Sequence, residues 1–365
     1  MNTAGPRVFA PSYAQARGNF LDAAGQAGLS VESKRHPVKG MEGEDLALDV
    51  ARDGPAAADK LLIVSSGCHG VEGFCGSGVQ VAALQDSAWR GHARERGVAV
   101  LYVHALNPYG FSHLRRVTQE NVDLNRNFQD FCAPLPVNEA YRELQPLVQL
   151  EEWPPSQAHM GAIMQYVARR GEAALQAAVS RGQYDFPDGM FFGGTAPTWS
   201  NLALREVLRE HGRRAARIAW IDIHTGLGPS GVGERIFAGR DDAATLKRAR
   251  AWWGGHATPV TSIYDGSSTS ALLTGMMFSA AYDECPRAEY TGIAMEYGTV
   301  PMMEMMQALL AEHWLYRHPQ APPPLAAHIR QQMKAAFYTD SDEWKARILL
   351  QAREALFQAA DGLAS

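Results

Sequence analysis

The sequence predicts an α/β protein with a mostly parallel, mixed and twisted sheet and helices on both of its faces. Two observations lead to this fold class. Short apolar runs that are typical of buried parallel strands recur along the chain, at 61–64, 98–105, 218–223 and 292–299. Segments with helical patterning separate these runs, as in a sheet built from strand–helix–strand units.

The remaining elements follow the same alternation. An amphipathic pattern over residues 11–28 predicts a first helix, and a second helix is expected directly after the strand at 61–64. We also expect short strands at 29–32 and 46–50 and helical segments at 159–179 and 241–253. Residues 271–279 are expected to form a loop or a short helix.

The chain has no internal repeat and no clean linker, so we predict a single α/β domain over residues 1–365. A Pro-rich and then helical segment at about 132–200 is expected to be an insertion, and a helical extension is expected at about 322–363. The extension either packs on the domain or contacts a second copy of the chain in a homo-oligomer, and the sequence leaves both open.

Composition restricts the function. A net charge of −5 without a basic block argues against nucleic acid as a partner. The first seven residues lack an apolar segment, and no later run reaches the roughly eighteen apolar residues of a membrane span, so neither a signal peptide nor membrane insertion is expected. Four scattered cysteines predict a cytoplasmic protein with reduced thiols. Cys68 is expected to have a buried thiol, and a role as a nucleophile or as a metal ligand stays open.

Four chemically active side chains are expected where apolar strands end. His69 and Glu72 follow the strand at 61–64 in a glycine-rich turn, His224 ends a second strand, and Glu296 lies in a third. Ligands of such folds bind beyond the carboxyl ends of the strands. Two histidines, one carboxylate and an open position are the ligand set of a catalytic zinc ion, and the remaining carboxylate would suit a general base. The alternative for the first pair is a surface loop with incidental polar residues.

The order of the motifs resembles the zinc carboxypeptidase superfamily, which also includes the aspartoacylase and succinylglutamate desuccinylase enzymes. His69-x-x-Glu72 is followed by Asn107-Pro-Tyr-Gly, an arginine, Val122-Asp-Leu-Asn-Arg-Asn, a distant histidine and a late strand glutamate. The resemblance covers roughly residues 60–130 and 215–300, and the chain is most similar to an uncharacterised bacterial branch.

The resemblance implies one zinc ion per chain, held by His69, Glu72 and His224. It implies that Asp123 accepts a hydrogen bond from a ligand imidazole, His69 being the expected one, and so fixes its tautomer. Glu296 would be the general base that activates a metal-bound water molecule and later protonates the leaving nitrogen.

For the substrate, the resemblance implies that Asn125 and Arg126 bind a free carboxylate. Arg116 would stabilise the oxyanion together with the metal. Arg115 is the adjacent competitor for contact with the substrate, and the sequence does not distinguish the two arginines.

We therefore expect a zinc metallohydrolase of the metallocarboxypeptidase type, which cleaves an amide bond next to a free carboxylate. Two alternatives stay open: a deacylase (amidohydrolase) of N-acyl amino acids at the same site, and a catalytically silent, metal-stabilised binding protein. The segment 267–274 lacks the mobile tyrosine of the carboxypeptidases, which leaves room for N-acyl amino acids as well as peptides as substrates. Asp222 should share a face with His224 in its strand, and it is expected to be either a partner of the site or an ordinary buried group.

Overall fold

The computed structural model of the protein describes residues 8–255 and 259–365. In this part of the chain, eight strands form one sheet: β1 (Val31–Lys39), β2 (Asp45–Asp53), β3 (Lys60–Ser66), β4 (Val98–His104), β5 (Arg217–Gly226), β6 (Gly233–Phe237), β7 (Val260–Ser262) and β8 (Glu289–Gly298).

The strand order is β1-β2-β4-β3-β5-β8-β6-β7. The four central strands β4, β3, β5 and β8 run parallel to one another, β1, β2 and β6 join through antiparallel pairs, and β7 is parallel to β6. The predicted mixed, mostly parallel sheet is confirmed.

Thirteen α-helices are present among the described residues: α1 (Tyr13–Gln26), α2 (Gly73–Gln85), α3 (Ser87–Glu95), α4 (Pro108–His113), α5 (Glu139–Val148), α6 (Gln157–Arg170), α7 (Glu172–Ser180), α8 (Trp199–Val207), α9 (Ala243–Trp253), α10 (Ser279–Glu284), α11 (Met302–Arg317), α12 (Pro323–Phe337) and α13 (Asp342–Ala364). In this part of the chain, no helix is both long and apolar enough to cross a membrane.

Helices cover both faces of the sheet because the central strands are apolar on both sides. Successive residues of β3 point to opposite faces, so that Leu62 and Val64 pack in one hydrophobic cluster and Leu61 and Ile63 in another. The first cluster includes residues of α1, α2 and α13, and the second includes residues of α8 and α10. The three strands that carry the candidate site are thereby fixed in the middle of the molecule.

Several element boundaries differ from the sequence prediction. The helical run expected at 159–179 is two helices, α6 and α7, because Gly171 between them has a φ of +86° that ends the first helix. The helical segment expected at 322–363 is two helices, α12 and α13, separated by residues 338–341. The strand expected at 29–32 extends to Lys39. The division into one domain with an insertion and an extension stays a prediction.

Candidate metal centre

Neighbouring strands bring the predicted site residues together. β5 lies between β3 and β8, and its register places His224 directly beside Glu296. His69 follows β3 after a turn in which Gly67 has a φ of +66°. Because β3, β5 and β8 are parallel, their carboxyl ends lie at one edge of the sheet, and the side chains that follow them converge there.

Glu72 lies between the two histidines. Its Oε1 atom is 2.9 Å from Nδ1 of His69, and its Oε2 atom is 3.0 Å from Nδ1 of His224. The three side chains are 4%, 1% and 4% exposed in the order His69, Glu72 and His224. Their possible ligand atoms all lie within 4.8 Å of one another, so one cation could contact all three.

The tight turn before α2 makes this arrangement possible. A short 3₁₀ turn at Gly70–Glu72 links His69 to α2 and brings the backbone close to α4. A Cβ atom at position 70 would lie 2.1 Å from the carbonyl carbon of Gly110, so this position accepts only glycine without a shift of the backbone.

Each histidine is oriented by a second carboxylate. Nε2 of His69 lies 3.2 Å from Oδ1 of Asp123, and Nε2 of His224 forms a short hydrogen bond with Oδ2 of Asp222. With a cation at the site, a hydrogen on each Nε2 would be donated to these carboxylates, and each Nδ1 would turn its lone pair to the cation; Nη2 of Arg116, which lies 2.7 Å from Nε2 of His69, would then move away from that atom. This is the arrangement expected of metal-binding histidines.

Asp222 is itself held in place. Its Oδ1 atom accepts a hydrogen bond from the Ser65 hydroxyl at 2.5 Å, and the Trp220 indole donates to that hydroxyl at 2.7 Å. The alternation of β5 predicted that Asp222 and His224 share a face, but the connection through Ser65 involves a neighbouring strand, so the sequence alone does not reveal it.

The charges of the site shift the protonation of its members. Burial would raise the pKa of Glu72, but the two histidines hold it well below its usual range. Burial acts in the same way on Asp123, whose pKa is nevertheless held low by the Arg116 and Arg126 guanidinium groups and by His69. Glu72 is therefore held in its charged form, the form in which a carboxylate binds a cation.

The pKa of Glu296 is shifted in the opposite direction to those of Glu72 and Asp123. Burial and the negative charge of Glu72 raise its pKa to about 7. Its Oε1 atom accepts a hydrogen bond from the backbone N–H of Leu227 at 2.9 Å. A carboxylate whose pKa lies near neutrality can both accept and return a proton.

The two adjacent arginines point to different places. Arg116 lies beside the donor set, with Nε 3.0 Å from Oδ2 of Asp123, Nη1 3.1 Å from Oε1 of Glu72 and Nη2 2.7 Å from Nε2 of His69. Arg115 instead pairs with Glu312 of α11, with Nε 2.5 Å from its Oε1.

Arg115 therefore does not line the pocket, and we correct the expectation that it contacts the substrate. The chain reverses direction here because Leu114 adopts a left-handed conformation with a φ of 57°. The side chains of the two consecutive arginines consequently leave the loop in different directions, and their charges are balanced by different carboxylates.

Asn125 and Arg126 line the pocket, but several of their polar atoms already have partners. Nε of Arg126 donates to the Ser180 carbonyl at the end of α7 at 3.0 Å, and Nη1 donates to the Asn125 carbonyl at 2.8 Å. Oδ1 of Asn125 accepts from the backbone N–H of Met277 at 3.0 Å. The remaining N–H groups of these two side chains are the donors available to a ligand, and binding of a carboxylate by them stays a prediction.

Cys68 belongs to a second donor set, with Asp222 and His224. Its thiol is buried, and burial raises its pKa well above the usual range, which argues against a thiolate. Neither Cys68 nor Asp222 lines the pocket, whereas His69, Glu72 and His224 all do. The set that contains Glu72 is therefore the one accessible to a substrate.

The pocket beside this set is mostly apolar. One face of α11 contributes Met302, Met305, Met306 and Leu309, at the spacing expected for a single helical face. Sequence reasoning missed this face, because the same pattern is typical of helices that pack in a hydrophobic core. Phe191 also lines the pocket, with its ring 4.9 Å from the Arg116 guanidinium carbon. Its φ of 52° is rare for an aromatic residue, and such strain is concentrated at functional sites.

The solved structures that resemble the chain include carboxypeptidases. Carboxypeptidase A from Helicoverpa armigera is 13% identical, with 89% of this chain and 73% of that chain covered and a TM-score of 0.48. A putative carboxypeptidase A from Shewanella denitrificans is 12% identical, with 97% and 70% covered and a TM-score of 0.47. A metallo-carboxypeptidase from Pseudomonas aeruginosa, in complex with (2-guanidinoethylmercapto)succinic acid, is 15% identical, with 95% and 69% covered and a TM-score of 0.43.

A search of curated proteins gives no match. One family model matches residues 9–351, and this range contains every residue of the site described above. The chain therefore belongs to the family described as "Protein of unknown function (DUF2817)".

Proposed function

We propose that the protein is a zinc-dependent hydrolase that cleaves an amide bond next to a free carboxylate. The observation that carries this proposal is the convergence of His69, Glu72 and His224 beside a pocket, with each histidine backed by a second carboxylate. A closed structural site would leave no room for a ligand, whereas these three donors border an open cavity.

The donor chemistry fits zinc. Two imidazole nitrogens and one carboxylate are zinc ligands, and the carboxylates of Asp123 and Asp222 would hold both histidines in the required tautomer. A bound zinc ion would supply Lewis acidity, which polarises a carbonyl group and makes water a stronger acid.

The chain's own residues would complete the reaction. Glu296, with its raised pKa, would accept a proton from the attacking water and return it to the leaving nitrogen. Arg116 would stabilise the negative charge that develops on the carbonyl oxygen, since its guanidinium group lies at the edge of the donor set. Asn125 and Arg126 would bind the substrate's free carboxylate with the donors that remain.

The test uses the zinc-loaded protein and its Glu296→Gln variant. Wild type should hydrolyse N-acyl amino acids or dipeptides and should act much less on the same compounds with an amidated carboxylate, because the amide has no charge for Asn125 and Arg126 to bind. Glu296→Gln should keep its zinc and lose turnover. Glu304→Gln is the control, because Glu304 is an exposed residue of α11 outside the pocket. Turnover that survives in Glu296→Gln would remove this residue from the mechanism.

A further inference from the structure

The apolar lining of the pocket carries information about the substrate that the metal centre does not. Two groups of apolar residues from different elements border the donor set. The first group comes from the ends of β6 and β8 and from the segment that precedes α10, and it contains Ile236, Ala238, Met276, Phe278 and Ala294. The second group comes from α11 and the end of α12, and it contains Met302, Met305, Met306, Leu309 and Phe337.

The first group adjoins the candidate carboxylate-binding residues. The backbone N–H of Met277, between Met276 and Phe278, donates to the Asn125 side chain. The carbonyl of Gly275 accepts a hydrogen bond from the backbone N–H of Phe128, two residues after Arg126. The part of a substrate that carries the free carboxylate would therefore lie against the first group.

The second group adjoins the other side chains of the centre. A Cβ atom built on Gly226, two residues after His224, would lie 3.1 Å from Sδ of Met305 and 3.4 Å from Oε1 of Glu296. The α11 face thus contacts the backbone that follows His224. Since the first group adjoins the part of the substrate with the free carboxylate, the α11 face would contact the acyl part. Methionine side chains are unbranched and polarizable, and they adapt to apolar groups of different shape.

The charged groups of the pocket reinforce this assignment. Among the described residues that line it, the cationic side chains are those of Arg116, Arg126 and the two histidines. Arg116 pairs with Glu72 and Asp123, and the N–H groups of Arg126 that the backbone carbonyls leave free are already assigned to the first carboxylate of the substrate. A second carboxylate on the acyl group would meet the methionine face without a cation, and an unpaired buried charge is costly.

We propose that the site takes amides with an apolar acyl group, which packs against Met302, Met305, Met306 and Leu309, and that it disfavours acyl groups with a second carboxylate. This inference rests on the proposed function, because it assumes that the amide carbonyl lies at the donor set. It narrows the substrate class to N-acyl amino acids or short peptides that are apolar on the acyl side.

The experiment measures binding, so that it does not depend on turnover. Acetyl-, butanoyl-, hexanoyl- and succinyl-phenylalanine are titrated into the zinc-loaded Glu296→Gln variant by isothermal titration calorimetry. We expect the dissociation constant to fall by about fourfold for each methylene group that becomes buried. Succinyl-phenylalanine should bind at least about tenfold more weakly than butanoyl-phenylalanine, its neutral counterpart of similar length.

Variants of α11 locate the acyl group. In the same background, Met302→Gln and Met305→Gln should weaken binding of the hexanoyl compound and leave the acetyl compound nearly unchanged. Met303→Gln is the matched control, because Met303 lies on the same helix turn, is 37% exposed and does not line the pocket. Equal affinity for all acyl groups, tighter binding of the succinyl compound, or an equal loss in Met303→Gln would overturn the inference. Graded binding without hydrolysis in wild type would instead contradict the proposed function alone.

Discussion

Asp222 offers a specific test of how the centre is built, because it would act on the metal only through its contact with His224. Replacing Asp222 by alanine removes the carboxylate that faces Nε2 of His224. The imidazole is then free to rotate or to adopt the other tautomer, and Nδ1 is no longer fixed towards Glu72. Loss of such a partner typically weakens metal binding by about 10- to 100-fold.

This loss corresponds to about 1.4–2.7 kcal/mol of binding free energy. The same amount should disappear from the stabilisation that a fixed excess of zinc gives to the folded protein. Zinc affinity would be measured by competition with a chromophoric chelator, and stability by denaturant unfolding with and without zinc.

A proton competes with the metal in this measurement. Asp222 and Glu72 raise the pKa of His224 above its usual range although burial lowers it, so part of the zinc affinity of wild type is lost to protonation. Removal of Asp222 relieves this competition, and the comparison is therefore made over a series of increasing alkaline pH values, along which protonation of the histidine decreases in both proteins. Ser65→Ala is the control: it removes a hydrogen bond to Asp222 but keeps the carboxylate, and it should cause a smaller loss. Unchanged zinc affinity in Asp222→Ala would refute the reasoning.

Three further substitutions separate catalysis, stability and local geometry. Arg116→Ala should keep its zinc but lose an oxyanion donor, so that kcat/KM falls by about 10²–10³-fold. A decrease of less than about tenfold in steady-state kinetics would argue against that role. Arg115→Ala should lower the free energy of unfolding by about 3–5 kcal/mol, because Glu312 would be left as a buried and unpaired charge; an unchanged urea midpoint would contradict this. Gly70→Ala should lose zinc, since the new methyl group collides with the backbone of α4. Gly91→Ala is the control and should keep its zinc, because a methyl group at position 91 has open space. Equal zinc content in the two variants would show that the turn can adapt.

The convergence of the candidate metal donors could be predicted because strand ends obey a simple rule. An apolar run followed by a polar residue marks the edge of a parallel sheet, and the carboxyl ends of neighbouring strands meet there. This rule sufficed for His69, His224 and Glu296, and the period of two along β5 placed Asp222 on the same face as His224. The helix predicted at 241–253 is found as α9, which begins after the capping residue Asp242 and ends before Gly254.

Other features depend on contacts between residues that are distant in the chain. The sequence could not separate Arg115 from Arg116, since the choice depends on a left-handed residue before them and on a glutamate nearly 200 positions later. The Ser180 carbonyl that occupies Arg126 lies 54 residues away. The methionine face of α11 has the pattern of a core helix, and its location beside a pocket is a property of the tertiary structure.

The central claim is that His69, Glu72 and His224 form a zinc site, and the metal content of the purified protein tests it most directly. Wild type and His69→Ala would be prepared without chelator, shown to be folded by circular dichroism, and compared by elemental analysis. We expect about one zinc ion per chain in wild type and little in His69→Ala, because the variant loses one of three donors. Folded wild-type protein without metal, or equal zinc in both proteins, would contradict this claim.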